Sequence, residues 1–146
     1  MDTDLIAHQI TAPNGVAISF IQKQFGSDFI DSSGALDRVK MRNLVFADLK
    51  AKKALEAITH PLIREETINQ AKALIAAKVP YLVFAVPLLI ESGSWLSLLD
   101  YIVVVDCLEE AQIERVMHRS KLSRNEVERI IKTQTSRQER IAHADI

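Results

Sequence analysis

Apolar residues along this chain follow two rhythms. Up to about residue 77 they recur at helical spacing, with polar punctuation between the runs. Asp4 is placed to cap a short helix carrying Ile6 and Ile10, ended by the Ala12-Pro13-Asn14-Gly15 turn. Val16–Phe25 is the next predicted helix, with Gly26 as its C-terminal cap, and Ser27–Gly34 is a polar connector. Asp37 and Asp48 fit as caps of helices over Arg38–Phe46 and Leu49–Ile58. Pro61 fits the first turn of a long helix to about Ala77, with Ile63, Ile68, Ala71 and Ile75 on or near one stripe.

The rhythm then changes. Tyr81–Val86 and Tyr101–Asp106 are short runs of β-branched and aromatic residues, apolar throughout, which predicts strands of a sheet buried on both faces. Pro87–Asp100 between them reads as a loop or short helix. Glu109–Arg119 predicts a helix, and Ser123 with Glu126 forms a capping box opening another to about His143. The expected class is α/β. Two buried strands make no stable open sheet, so the pattern is that of an α/β domain from which strands are absent.

Composition narrows the function. The chain has 146 residues, 48% hydrophobic and 25% charged, with a net charge of -1. That balance suits a folded domain and disfavours a protein held on a nucleic acid polymer by phosphate contacts. Cys107 is the single cysteine, so there is no internal disulfide and no cysteine metal cluster. Asp2 and Asp4 stand where a secretory signal has basic residues. The longest apolar run, Tyr81–Ile90, is half of a bilayer crossing. A soluble, cytoplasmic protein with no membrane partner is expected.

Several residues are candidates for chemistry, each with a plainer reading beside it. On an extended chain Asp2 and Asp4 project from one face, suited to accepting a proton or holding Mg²⁺ through water; the plainer roles are a helix cap and an exposed acid. His8 lies one helical turn after Asp4. His60, before Pro61, either caps the long helix or faces a ligand, whereas His118 and His143 sit on charged helices facing solvent. Glu91 closes an apolar run, at the sheet end where α/β proteins bind ligands, or it simply begins a loop. Arg115 and Arg119 share a helix face, and Arg137 and Arg140 follow on the next helix, with Gln134 one turn before Arg137. Guanidinium forks so placed can close over a polyphosphate. Alternatively, Glu110, Glu114, Glu126, Glu128 and Glu139 pair them in surface bridges. No G-x-x-x-x-G-K-S/T, G-x-G-x-x-G, CxxC, HExxH or GxSxG motif occurs, and no metal site is assigned.

Taken together, the segments resemble the dephospho-CoA kinase family of P-loop kinases. The resemblance is carried by Asp2-Thr3-Asp4-Leu5-Ile6-Ala7-His8, by Phe25-Gly26 with Gly34-Ala35-Leu36-Asp37-Arg38, and by Met41-Arg42 through Val45-Phe46. It continues in His60-Pro61-Leu62-Ile63, in Val86-Pro87-Leu88-Leu89-Ile90-Glu91, in Val103-Val104-Val105-Asp106, and in Gln112, Arg115, Arg119, Gln134 and Arg137. It implies transfer of the ATP γ-phosphoryl group to the ribose 3′-hydroxyl of dephospho-CoA, the last step of coenzyme A biosynthesis, with Mg²⁺. By the same resemblance Asp4 is the candidate base with Asp2 beside it. His8, His60 and Glu91 lie around the acceptor, and Arg115, Arg119 and Arg137 form a lid over the phosphates.

The implied fold is an incomplete P-loop-kinase-like three-layer domain, helix-rich. A helical substrate-binding region covers about 5–78, core strands 79–108, and a lid with its following helix 109–143. In the family a strand, the phosphate loop and a helix precede the D-x-D segment, whereas here Met1 stands directly before Asp2. The expectation is therefore a kinase chain truncated at both ends and inactive alone, whose exposed strand edges favour self-association. Alternatives are a non-catalytic relative that binds a CoA-like ligand or partner chain, another nucleotide kinase of the superfamily, and an unrelated α-rich interaction protein.

Overall fold

The computed structural model describes residues 1–146, which divide into two compact units, Met1–Pro87 and Leu88–Ile146. In the first unit, helix α1 spans Thr3–Ile10, α2 Ile18–Phe25, α3 Arg38–Ala47 and α4 Leu49–Ala76, with a 3₁₀ turn at Ser27–Phe29. Asp37 and Asp48 cap α3 and α4 as their positions predict, accepting from Lys40 N–H at 2.9 Å and Lys50 N–H at 2.7 Å. Gly26 ends α2 with φ 96°, a left-handed backbone value that glycine adopts without a Cβ penalty. Gly15 is required by space instead: a Cβ there would lie 2.3 Å from the Ile10 carbonyl oxygen, inside the tight link between α1 and α2.

The core of this unit follows from the spacing of its apolar residues. Ile6 and Ile10 on α1, Ala17 and Ile21 around α2, Leu36, and Met41 on α3 are all buried together. Leu55, Ile58, Leu62 and Ile63 of α4 pack onto them, and α4 lies against α1, α2 and α3. Burial on both sides of Pro61 explains one departure from the sequence reading. The two helices expected over Leu49–Ile58 and from Pro61 are one continuous α4, with Pro61 in its interior. Proline there forfeits one ladder hydrogen bond, and the apolar contacts of Leu55, Ile58, Leu62 and Ile63 on either side hold the helix through it. Thr67, fully buried on α4, satisfies its hydroxyl on the Ile63 carbonyl at 2.6 Å.

The expected strands are a second departure. Tyr81–Val86 and Tyr101–Asp106 are extended but join no sheet; the first makes a single parallel bridge, Asp2 to Ala85. Both segments alternate: Tyr81 and Val83 are exposed while Leu82 and Phe84 turn inward, and Tyr101, Val103 and Val105 are exposed while Ile102 and Val104 turn inward. Val105 is 96% exposed. A run that is apolar throughout predicts cover on both faces, and each segment here has cover on one.

In the second unit, α5 spans Leu89–Ser92, α6 Glu109–Ser120, α7 Arg124–Lys132 and α8 Arg137–Ala142, with a 3₁₀ turn at Leu96–Leu98. Helices α6 and α7 pack on each other, and each buries one aliphatic residue, Ile113 on α6 and Val127 on α7. The single helix expected from Ser123 to about His143 is two, because a second capping box, Ser136 with Glu139, opens α8 after the break at Thr133. The segment after α8 folds back beside the extended run. Ile102 accepts from the N–H groups of Asp145 (2.9 Å) and Ile146 (3.3 Å), and Val104 N–H donates to the Ile146 carbonyl at 3.1 Å. No helix is long and apolar enough to cross a membrane.

Candidate active site

The two N-terminal aspartates occupy different environments. Asp2 is extended (φ -115°, ψ 115°) and stands as the N-cap of α1, its Oδ1 accepting from Asp4 N–H at 2.9 Å and Leu5 N–H at 3.4 Å. The cap is thus Asp2, two residues before the position expected from sequence. The helix begins at Thr3, so Asp2 and Asp4 do not share one extended face. Asp4 lies in the first turn, exposed, and its carboxylate makes no hydrogen bond or ion pair. The start of α1 is anchored by the 83–85 segment: Thr3 N–H and hydroxyl both reach the Ala85 carbonyl, at 3.1 and 3.2 Å, and Ala85 N–H donates to Met1 at 2.7 Å. Asp2→Ala should lower unfolding stability by about 1 kcal/mol through loss of this cap, measurable by urea denaturation.

His8 is exposed one turn beyond Asp4, with no hydrogen bond joining the two. His60 is also exposed, but it sits within α4 and cannot cap it; the continuous helix removes that role. Both histidines are carried by helices that pack on each other, α1 and α4. Arg38, which the sequence reading did not single out, donates to the Thr11 hydroxyl at 2.6 Å, and partial burial lowers its pKa.

In the second unit, the acids that could have neutralised the arginine cluster are largely committed elsewhere. Glu110 and Glu128 both pair with Arg124, and Glu126 and Glu139 close the capping boxes. Arg115 and Arg119 consequently have no carboxylate partner, and both are exposed on α6; Arg115 reaches only the Cys107 sulfur, at 4.0 Å. Arg137 is different. Its Nε donates to Asp106 Oδ1 at 2.8 Å and Oδ2 at 3.0 Å, and its Nη2 also donates to Oδ2. The hydrogen bonds from Arg137 hold the Asp106 carboxyl below its ordinary range, and those to Asp106 raise the guanidinium in turn.

Glu91 sits on α5 and accepts from Thr135 N–H at 2.8 Å, tying the loop before α8 to α5. Arg140 donates to the Thr135 carbonyl at 2.6 Å, closing the same corner. Partial burial works to raise the Glu91 pKa, but hydrogen bonds from its own and Thr135's N–H groups and the Thr135 hydroxyl, with the charge of Arg140, outweigh it. The net shift is downward, so the ionised form is favoured in the folded chain. That contribution is present above the ordinary carboxylate range and lost as pH falls through the depressed value. Amide-exchange protection at Thr135 is expected to persist at neutral pH and collapse in acid, and Glu91→Gln should abolish that pH dependence.

The sequence reading named Glu91, Arg137 and Arg140 but not the pairings that tie them to Thr135 and Asp106; Thr135 was not singled out, and Asp106 entered only as the end of an apolar run. Asp106 carried a legible signal, since it ends an apolar extended run as Glu91 does. His118 is exposed, and His143 lies over the Glu139 carbonyl, with Nδ1 at 2.8 Å. No group of three or more His, Cys, Asp or Glu side chains converges as a metal cage.

Comparison with known proteins bears on the family of the chain as a whole. The dephospho-CoA kinase family matches residues 1–146, the whole chain. The chain belongs to the dephospho-CoA kinase family. Its members are kinases, nucleotide-using transferases. The dephospho-CoA kinase of Burkholderia thailandensis is 55% identical over 145 residues, 99% of this chain and 70% of the relative. That of Albidiferax ferrireducens is 53% identical over 147 residues, 99% and 68%. Among solved structures, TT1252 from Thermus thermophilus is similar at TM-score 0.80 and 30% identity, covering 99% of this chain and 71% of that one. Dephospho-CoA kinase from Campylobacter jejuni is similar at TM-score 0.70 and 28% identity, covering 100% and 72%. These likenesses are consistent with a P-loop-kinase-like fold, of which this chain spans about 70% of the length found in the Burkholderia thailandensis relative.

Proposed function

We propose that the chain serves ATP-dependent phosphorylation of the ribose 3′-hydroxyl of dephospho-CoA, with Asp4 as the base that accepts the hydroxyl proton. The observation that carries this reading is the division of labour between the two aspartates: Asp2 is occupied as a cap, and Asp4 is an exposed carboxylate with no partner. A carboxylate that is not committed to another partner can take a proton as the hydroxyl attacks. His8 and His60, exposed on the same unit, are assigned to binding the acceptor, with Asp2 beside the base in a supporting role. In the second unit Glu91 shapes the corner that carries Arg137, and Arg115, Arg119 and Arg137 bind the phosphates and stabilise charge on the transferring group.

Mg²⁺ in such chemistry is held through one or two carboxylates, water and substrate phosphates rather than by a protein cage. The free carboxylate of Asp4 fits that mode, and the ion would supply charge neutralisation on the phosphates. On this reading the chain is part of a P-loop-kinase-like three-layer domain, and the exposed apolar side chains of Tyr81, Val83, Tyr101, Val103 and Val105 favour self-association. The reaction takes place in the cytoplasm. The test follows dephospho-CoA conversion to CoA by mass, with ATP and Mg²⁺, against a panel of nucleoside monophosphates. Preference for dephospho-CoA with ADP as co-product supports the reading; preference for a nucleoside monophosphate overturns it.

A further inference from the structure

We infer that Asp106 is a positioning residue for phosphate binding, holding the Arg137 guanidinium from one side so that its opposite edge is presented to an oligophosphate. The inference rests on the reading of Arg137 as a phosphate-binding group given above. A guanidinium carries five N–H donors in a planar fork. The grip of Asp106 engages Nε and Nη2, which leaves both Nη1 donors and the second Nη2 donor on the far edge. That edge has no partner in the structure, and it retains the two-pronged geometry that phosphate oxygens accept. The two side chains are 46% and 33% exposed, so an anion can reach the free edge without displacing Asp106.

The backbone supports the same placement from both ends of α8. Thr135, two residues before Arg137, is held by Glu91, and Asp145 and Ile146, beyond the helix, are held by Ile102 and Val104. Asp106 follows on the extended run that makes the second attachment. Arg137 is therefore carried by a helix fixed at both ends, and Asp106 fixes the side chain as well. An exposed ion pair adds little to stability. Its consequence here is orientation: a long, rotamer-rich side chain is ordered before the ligand arrives, which lowers the entropy lost on binding.

Binding of inorganic tripolyphosphate to the full chain, followed by titration calorimetry in five proteins, tests this. They are the native chain, Asp106→Asn, Asp106→Glu, Arg137→Ala and the Asp106→Asn/Arg137→Ala double variant, each with its unfolding midpoint measured. Arg137→Ala should weaken binding about tenfold and Asp106→Asn about threefold. Asp106→Asn should add nothing once Arg137 is gone, and Asp106→Glu should recover part of the loss. Removing a negative charge beside an anion site would by itself strengthen binding, so a loss dependent on Arg137 is the signature of positioning. Unchanged or tighter binding by Asp106→Asn, or the same loss in both backgrounds, overturns the role of Asp106 while leaving that of Arg137 intact. Native affinity in Arg137→Ala, or no binding by the native chain, overturns the phosphate reading and the positioning role with it.

Discussion

In a form of the protein that turns dephospho-CoA over, Asp4→Asn should slow phosphoryl transfer by about 10²–10⁴-fold, the range spanned by general acid–base contributions. The amide keeps the size and shape of the side chain but cannot take a proton. Because the Asp4 side chain is exposed and its carboxylate is bonded to nothing, the substitution disturbs no packing. The structural cost is confined to losing a favourable charge in the first turn of α1, about 0.3–1 kcal/mol. Asp2→Ala gives the complementary result, with stability reduced through the lost cap and turnover affected mainly through the placement of α1. The decisive comparison is the rate at saturating substrate for both variants, beside their unfolding midpoints. An Asp4→Asn chain that turns over at the native rate would remove Asp4 from the chemistry.

What could be read in the sequence follows from the range of the forces involved. Caps and helix faces are local, and Asp37, Asp48 and Ser123 stand where their own neighbours require them. The break at Thr133 was missed although it too is local: Ser136 and Glu139 repeat the box spacing of Ser123 and Glu126, and only the first pair was used. The unbroken run of α4 through Pro61 depends on core contacts from Leu55, Ile58, Leu62 and Ile63, which local propensity does not contain. The runs at 81–86 and 101–106 have strand composition, but a sheet exists only where a neighbouring strand supplies the ladder. In the candidate site, residue types and approximate positions were legible: an acid at the head of α1, an acid after an apolar run, arginines on successive helices. Pairings were not. Glu110 meets Arg124 across fourteen residues and Asp106 meets Arg137 across thirty-one, distances at which sequence spacing carries no geometry.

Ile21→Ala should carry the largest stability cost of the substitutions considered, about 2–5 kcal/mol, the range for truncating a buried branched aliphatic residue. Ile21 is 0% exposed and belongs to the cluster that joins α1, α2 and α3, onto which α4 packs. The loss has two parts: the transfer free energy of the missing methyl groups, and the cavity their removal leaves where neighbours cannot collapse. Close packing limits that collapse, because Ile6, Ile10 and Met41 are each fixed by helices with their own caps and contacts. Ile21→Val removes one methylene and should cost about 0.5–1.5 kcal/mol. Phe46→Ala deletes a larger side chain, but Phe46 is 79% exposed and outside the cluster, and surface changes of this kind usually fall within about ±0.5 kcal/mol. Urea denaturation of the three variants therefore ranks them by burial rather than by the number of atoms removed. If Phe46→Ala proved costlier than Ile21→Ala, the core would lie on the other face of α3, and the packing that presents α1 and its aspartates would have to be redrawn.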